Sequence, residues 1–276
     1  MFYVIKTTGK REPFQPEKIE RTCIRAGASK ALAKKIVREV EKKAFEGITT
    51  REILKLTTSL LEKKAVHLAA RYNLKKAVFM LGLAGYAFEE FMAEIFKAHG
   101  YKVEVSQMIS GACVDHEIDI VAEKGGKRYM VECKYHWHPG VFTGLKEAMY
   151  TQARFEDLQE GHKLGKCQKF DQPYLINNFL FSSHAIQYAR CKKMKLLGWA
   201  YPPDKGIEIL IEDKRLYPIT ILRGIDTYTR RRLTVAGLMM CKDLVEMDLA
   251  KLKQFTGLDV PRLKKLVAQG KKILHR

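Results

Sequence analysis

The spacing of apolar and polar residues predicts a helical first segment with a short β cap over residues 1–82. Two extended pieces come first, at residues 2–6 and 11–14, with a turn through Gly9 between them. Pro16 favours the first turn of a helix, and Thr49-Thr50 are a predicted N-cap. Helical periodicity then predicts four helices, at about residues 16–27, 29–46, 50–64 and 66–81.

Residues 86–218 alternate between predicted strands and helices, after a glycine-containing junction at residues 81–86. Segments 118–124 and 127–135 are typical of strands, and Gly125-Gly126 predicts a two-residue hairpin turn because glycine accepts a positive φ. Further predicted elements are a helix at 144–159, a basic loop at 160–172, a strand at 173–182, a helix at 184–195 and a strand from 195. This order predicts a parallel crossover. The expected fold class is α/β, or α+β over the whole chain, with a mixed central sheet flanked by helices.

The predicted hairpin brings charged residues together. If Lys124 faces Lys127, paired residue numbers sum to 251, and Asp119 lies opposite Glu132 with Cβ atoms roughly 5 Å apart. Lys134 lies two residues after Glu132 and therefore on the same face of the strand. Two opposed carboxylates repel each other unless a cation lies between them, and Mg²⁺ prefers oxygen ligands of this kind. The pattern favours a metal site suited to phosphodiester hydrolysis.

A surface hairpin is the alternative interpretation. Glu117 falls opposite Lys134 in the same register, so these two side chains could form a solvated salt bridge instead. Cys133 points to the opposite face and is expected in the core. A nuclease fold that has lost its activity is a third interpretation of the same residues.

The sequences V-D-H-E-I-D-I-V and M-V-E-C-K-Y resemble the PD-(D/E)xK nuclease superfamily, in its Mrr-type restriction endonuclease branch. The resemblance implies that Asp119 and Glu132 hold Mg²⁺ or Mn²⁺, with the Cys133 carbonyl as a third ligand, and that Lys134 assists the attacking water. It also implies a carboxylate from the preceding helix, Glu89, with Glu90 as its rival. The catalytic residues implied in total are Asp119, Glu132, Lys134, Glu89 and, as a weaker positioning candidate, Gln152.

The first segment is similar to the ATP-cone, a regulatory nucleotide-binding domain. The similarity rests on V-I-K-T-T-G-K-R-E-P-F-Q-P-E-K-I, G-I-T-T-R-E-I and L-A-A-R-Y, and it spans residues 1–82. It implies a site for ATP or dATP formed by Val4, Lys6, Gly9, Lys10, Arg11, Lys18 and Thr50. Thr7 stands where the family usually has arginine, and Lys10 or Arg11 would replace that charge. A cone that no longer binds nucleotide is the alternative.

Residues 220–276 contain two units of helix, glycine turn and helix, with Gly224, Gly237 and Gly257 at the turns. This pattern resembles tandem helix-hairpin-helix modules, which grip DNA through turn amides and nearby cations. The cations available are Arg230, Arg231, Arg232, Lys264, Lys265, Lys271 and Lys272. A helical protein-interaction bundle would have a similar composition.

The composition supports a polyanionic partner. The 276 residues include 50 Lys+Arg and 31 Asp+Glu, for a formal net charge of +19. No apolar run approaches the ~20 residues that cross a bilayer, and the N-terminus lacks a signal peptide's apolar core, so a cytoplasmic location is expected. No C-x-x-C motif occurs, so neither a zinc knuckle nor a thioredoxin-like site is indicated.

The predicted function is a Mg²⁺-dependent DNA endonuclease regulated by nucleotide, acting on plain duplex or on branched or damaged DNA. The alternative is a non-catalytic, nucleotide-sensing DNA-binding regulator. Cutting both strands of a duplex would be easier for a homodimer. The predicted domains are a cone at 1–82, a nuclease domain at 86–218 and a DNA-binding domain at 220–276.

Overall fold

A computed structural model describes residues 2–6, 8–83, 88–138 and 140–274 of the protein. The chain forms two compact units: one contains Met1–Met80 together with Tyr217–Arg276, and the other contains Leu81–Leu216. Residues 84–86 of the predicted junction lie outside the described residues. In the described part of the chain, no helix is both long and apolar enough to cross a membrane. Helices and a mixed sheet are both present, as the α/β prediction requires.

The first unit begins with a β hairpin and five helices. Their bounds are β1 Tyr3–Ile5, β2 Arg11–Pro13, α1 Pro16–Arg25, α2 Lys30–Lys43, α3 Thr50–Glu62, α4 Val66–Tyr72 and α5 Leu74–Leu83. The predicted N-cap is confirmed, because the Thr49 side chain accepts from the Glu52 amide while Glu52 accepts from Thr49 in a capping box. Backbone pairing of Ile5 with Thr49 brings the start of α3 beside β1. The core of this region includes Val4, which is almost fully buried.

The single helix predicted at 66–81 is wrong, since the structure has two helices that meet at Asn73. The Asn73 side chain donates to the carbonyl oxygen of Ala69 at 2.8 Å and to the hydroxyl of Thr58 at 3.2 Å. A side chain that bonds local backbone competes with helix continuation, which explains the break.

The same unit ends with a short 3₁₀ turn, Ile219–Ile221, and four helices. The four helices are Thr227–Val235, Cys241–Glu246, Leu249–Thr256 and Val260–Leu274, called C1, C2, C3 and C4. Gly237 separates C1 from C2 with φ +69°, and Gly257 separates C3 from C4 with φ +64°. These two helix–glycine–helix units match the sequence prediction.

The second unit is built on a five-stranded mixed sheet. Its elements are α6 Phe88–Ala98, β3 Lys102–Ser110, β4 Asp115–Lys124, β5 Lys127–Lys134, β6 Phe142–Thr143, α7 Leu145–Lys163, β7 Gln172–Asn177, β8 Leu180–Phe181, α8 Ser183–Cys191, β9 Lys195–Leu197 and α9 Ile207–Lys214. The strand order is β3-β4-β5-β7-β9. The pairs β3–β4 and β4–β5 are antiparallel, whereas β5–β7 and β7–β9 are parallel. The predicted parallel crossover through α8 is therefore confirmed.

Three elements of this unit differ from the prediction. Helix α7 continues to Lys163, so the predicted basic loop at 160–172 begins four residues later than expected. The predicted strand at 173–182 is two strands, because Asn177 turns its side chain back to accept from the Phe179 amide at 2.9 Å. Helix α9 has no counterpart in the prediction.

The β4–β5 hairpin has the predicted register. Lys124 pairs with Lys127, and the pairing continues to Ile120 with Val131. Gly125 and Gly126 both have positive φ, at +59° and +71°, as a two-residue hairpin turn requires. Helix α7 packs on this hairpin through a buried apolar cluster that consists of Ile118, Val121, Met130, Phe155, Leu158 and Phe170. That packing fixes the helix over the end of the hairpin where the charged residues lie.

Candidate active site and nucleotide cleft

Asp119 and Glu132 occupy the positions that follow the last paired residues of the β4–β5 ladder. Their closeness is supported by a direct contact: the backbone amide of Cys133 donates to Asp119 Oδ2 at 2.7 Å. Both carboxylates are only partly exposed. The hairpin therefore brings the two predicted metal-holding carboxylates together.

Burial disfavours the ionised form of both carboxylates. Burial and then the charge of Asp119 raise the pKa of Glu132 to about 7, against the opposing effect of Arg154 and Lys134. Burial also raises the pKa of Asp119, with a further increase from the charge of Glu89, while the amide of Cys133 lowers it. A patch that disfavours its own negative charge is suited to a cation.

Arg154 is the main feature of the site that sequence reasoning missed. Its guanidinium forms an ion pair with Glu132 Oε2 and donates a hydrogen bond to the backbone carbonyl of Glu117. It also lies over the ring of Tyr150, 5.5 Å from the ring centroid, and only 9% of the residue is exposed. The signal available in the sequence was an arginine on the apolar face of α7, one residue before the buried Phe155.

The structure separates the rival glutamates of α6. Glu89 is partly buried and its charge acts on Asp119, whereas Glu90 is exposed. Lys134 is exposed at the end of β5, and among the described residues it forms no ion pair with Glu117. The geometry thus groups Glu89 and Lys134 with the acidic pair.

Gln152 lies on α7 and is 6% exposed. Its Nε2 donates to Glu156 Oε1 at 2.9 Å, while its Oε1 has no hydrogen-bond partner among the described residues. The Nε atom of Arg154 is also buried and has no hydrogen-bond partner among the described residues. Buried polar atoms of this kind usually bond to water or to a ligand. Cys133 is partly exposed as a residue, but burial is the largest cause of the raised pKa of its thiol, in keeping with the expectation that the side chain faces the core.

The donor set fits a hard divalent cation. Asp119 uses one oxygen for the Cys133 amide and Glu132 uses one for Arg154, so each carboxylate keeps a second oxygen without a hydrogen bond in the described part of the chain. No group of three His, Cys, Asp or Glu side chains suited to a metal occurs among the residues described. Mg²⁺ is commonly held by one or two carboxylates, with other oxygens completing its shell. Asp119, Glu132 and the Cys133 carbonyl are compatible with that arrangement.

Three of the predicted nucleotide-binding lysines surround one carboxylate at the β1–β2 hairpin. Lys6 Nζ lies 3.1 Å from Glu12 Oε2, and Lys10 Nζ lies 3.8 Å from Glu12 Oε1. The hydrogen bond from Lys6 is the largest cause of the lowered pKa of Glu12, and the charge of Lys18 contributes. The turn between the lysines uses Gly9 at φ +80°. The hairpin therefore concentrates positive charge, part of which Glu12 offsets.

The remaining predicted nucleotide residues lie apart from this lysine cluster or are buried. Arg11 forms an ion pair with Glu46 and lies over the ring of Tyr3. Residue 7, where the family usually has arginine, lies outside the described residues. Val4 is 5% exposed in the core. Thr50 begins α3, next to the backbone pairing of Ile5 with Thr49, and is partly exposed.

A cleft of about 960 Å³ runs along α3, from the residue after Thr50 to the end of the helix. We call it the α3 cleft. Its charged lining residues are Arg51, Lys55, Lys76, Arg223, Glu52 and Glu62. Glu52 is used by the helix cap and Glu62 by an ion pair with Arg223. The remaining cations give the cleft a positive character that the sequence analysis did not anticipate.

Comparisons with known proteins agree with this organisation. The ATP cone domain matches residues 2–76, a restriction endonuclease domain of the Mrr type matches residues 80–198, and the domain described as AF1548-like, C-terminal matches residues 217–274.

Two proteins of Archaeoglobus fulgidus, both described as uncharacterized, are relatives. One is 45% identical over 183 residues, which is 66% of this chain and 99% of the relative. The other is 48% identical over 42 residues, which is 15% of this chain and 89% of the relative. A crystal structure described as a protein of unknown function, AF1548, is 42% identical with a TM-score of 0.57, covering 72% of this chain and 98% of that one. The chain therefore belongs to the AF1548-like family, and in it an ATP cone, an Mrr-type restriction endonuclease domain and the AF1548-like C-terminal domain follow one another along the sequence.

Proposed function

We propose that the protein is a Mg²⁺-dependent DNA endonuclease whose action is regulated by ATP or dATP. The observation that carries the proposal is the position of Asp119 beside Glu132 at the end of one β hairpin, where burial and the charge of Asp119 raise the pKa of Glu132. Ionised carboxylates are rarely crowded in this way unless a cation or a catalytic task requires it.

The roles of the chain's own residues follow from their positions. Asp119 and Glu132 would hold the metal ion, together with the Cys133 carbonyl. When bound, Mg²⁺ supplies charge neutralisation at the phosphate and lowers the pKa of a coordinated water. Lys134, exposed beside the acids, donates a hydrogen bond to the attacking water or to a phosphate oxygen. Arg154 is a positioning residue, since it fixes one oxygen of Glu132 and the strand carbonyl of Glu117.

In this proposal, the C-terminal helices bind the DNA backbone. Four lysines on C4 are exposed, namely Lys264, Lys265, Lys271 and Lys272. The turns at Gly237 and Gly257 place backbone amides at the ends of short helices, which suits phosphate oxygens. Arg232 has a structural role as well, because its Nε donates to the carbonyl of Thr256. Contacts of these kinds bind the DNA backbone without selecting a base sequence.

Nicking of a supercoiled plasmid tests the nuclease activity. We expect wild type to cut with Mg²⁺ or Mn²⁺ and not with EDTA, and Lys134→Ala to lose at least about 100-fold in rate, a loss typical of removing one charge-stabilising donor. Lys102→Ala, which removes an exposed lysine at the start of β3, is the matched control and should cut normally. Branched, flapped, methylated and plain duplexes, compared side by side, identify the substrate.

A non-catalytic, nucleotide-sensing DNA-binding regulator is the second candidate. The observation in its favour is the ion pair between Arg154 and Glu132, which satisfies by protein alone one of the charges that a metal ion would use. A wild-type protein that cuts no substrate with either metal, yet binds DNA with an affinity that ATP alters, would establish this candidate in place of the nuclease.

A further inference from the structure

The α3 cleft has two walls that come from opposite ends of the chain. One wall is formed by α3 and α5 of the ATP cone, and the other includes Thr220, Ile221 and Arg223, which precede the C-terminal helices. These residues all belong to one compact unit. A ligand in this cleft would therefore touch the cone and the C-terminal segment at once.

We propose that the α3 cleft is a composite site for a nucleoside polyphosphate, to which the C-terminal segment contributes Arg223. Nucleotide binding there alters the affinity of helix C4 for DNA. The inference rests on the nucleotide binding proposed above, and it places the ligand in the α3 cleft, whose lining begins beside Thr50 and includes none of Lys6, Lys10 and Lys18. It assigns a residue outside the cone to the nucleotide, and it names the element that responds.

The chemistry of the cleft favours a phosphate-bearing ligand. Arg51, Lys55 and Lys76 line it and form no ion pair among the described residues, so their charges are available to an anion. Apolar side chains, among them Leu54 and Met80, also line it and would suit the flat face of a base. A volume of about 960 Å³ lies within the range of cofactor sites.

Arg223 links this cleft to helix C4 by direct bonds. Its guanidinium forms an ion pair with Glu62 at the end of α3, and two-fifths of its side chain is exposed. Its backbone amide donates to Gln269 Oε1 at 3.0 Å, and its carbonyl accepts from Gln269 Nε2 at 3.2 Å. Gln269 lies on C4 between Lys265 and Lys271. A phosphate that draws the guanidinium away from Glu62 would act on the segment that Gln269 holds.

Two further bonds tie the cone to the same C-terminal segment. Arg71 of α4, which is 8% exposed, donates to the carbonyl of Ile273 at 2.7 Å and lies over the ring of Tyr217. The hydroxyl of Thr220 donates to the carbonyl of Ala77 at 2.6 Å. Because these hydrogen bonds hold the C-terminal segment against the cone, a displacement of Arg223 should also displace C4.

The first test measures ATP affinity of the full-length protein by isothermal titration calorimetry. Arg223→Gln should weaken ATP binding about tenfold, the effect of losing one charge-assisted contact worth about 1.4 kcal/mol. Arg38→Gln, which removes an exposed arginine of α2 outside the cleft, should bind ATP as wild type does. Equal affinity in the Arg223 variant and wild type would overturn the inference.

Glu62→Gln provides a test in the opposite direction, which a merely misfolded variant cannot imitate. Because the substitution releases Arg223 from its internal partner, ATP should bind more tightly than to wild type. The part of this gain that depends on Arg223 should vanish in the double variant Glu62→Gln/Arg223→Gln. If the gain is the same with and without Arg223, the arginine does not bind the nucleotide and the inference fails.

The second test measures binding of a fluorescein-labelled 20-base-pair duplex, with EDTA present, as ATP is added. We expect ATP to change the DNA affinity of wild type at least threefold and to leave that of Gln269→Ala unchanged, while Gln269→Ala binds ATP normally. ATP binding without any effect on DNA affinity in wild type would overturn the coupling. No ATP binding by wild type would instead remove the proposed nucleotide regulation itself, and the composite site with it, while plasmid cutting remained a separate question.

Discussion

Binding of Mn²⁺ at the acidic pair should strengthen as the pH rises from 6 to 8. The pKa of Glu132 is raised to about 7 from its ordinary value of 4.5. Without a metal, this group's contribution to stability is therefore fully present below pH 4.5 and is lost as the pH rises through about 7. A bound cation favours the ionised carboxylate, so it must displace the proton that the metal-free protein holds below pH 7.

The size of the effect follows from that pKa. With a pKa of about 7, roughly 9% of Glu132 is ionised at pH 6 and roughly 91% at pH 8, so the apparent affinity should differ about tenfold, or about 1.4 kcal/mol. The raised pKa of Asp119 likewise favours tighter Mn²⁺ binding at higher pH. Isothermal titration calorimetry at pH 6, 7 and 8 measures the affinity, and buffers of different ionisation enthalpy report the proton released.

Glu132→Gln is the control, since an amide has no proton to lose. We expect it to bind Mn²⁺ more weakly at every pH and with little pH dependence. Equal Mn²⁺ affinity of the wild-type protein at pH 6 and pH 8 would refute the reasoning, because it would mean that no titrating carboxylate of raised pKa takes part.

Three stability predictions follow from buried contacts, each measured by denaturant unfolding of the metal-free protein. Arg154→Gln should lower the free energy of unfolding by about 3 kcal/mol at pH 8, because ionised Glu132 loses its ion-pair partner. The loss should be smaller at pH 6, where Glu132 is mostly protonated, and equal losses at both pH values would contradict this. Arg71→Met should cost about 2 kcal/mol, because the carbonyl of Ile273 loses a donor; an unchanged midpoint would show that water replaces it. Gly257→Ala should lower the free energy of unfolding more than Gly237→Ala does. Both glycines have a left-handed backbone, but only the new Cβ at residue 257 would collide with the Arg232 side chain. Equal losses of stability in the two variants would exclude that collision.

The hairpin and its acidic pair could be predicted because their signals are local. Two adjacent glycines fix a turn type, and the turn fixes the register, so Lys124 opposite Lys127 determines where Asp119 and Glu132 fall. The repeated helix–glycine–helix pattern at the end of the chain is local in the same sense. Both features could be predicted without knowing which residues distant in the sequence contact each other.

Arg154 could not be predicted because its role depends on tertiary packing. It is 22 residues beyond Glu132 in the sequence, and its position is set by the packing of α7 on the hairpin. The break at Asn73 and the α3 cleft were missed for the same reason. Asn73 bonds to Thr58 across two helices, and Arg223 reaches Glu62 from a part of the chain 161 residues away.

The most direct test of the central claim is a crystal structure of the protein with Mn²⁺, in which anomalous scattering locates the metal. We predict an anomalous peak bonded to carboxylate oxygens of both Asp119 and Glu132, with Lys134 facing the same space. A map with no peak at these residues, and with Glu132 still paired to Arg154, would contradict a metal site at the end of the β4–β5 hairpin.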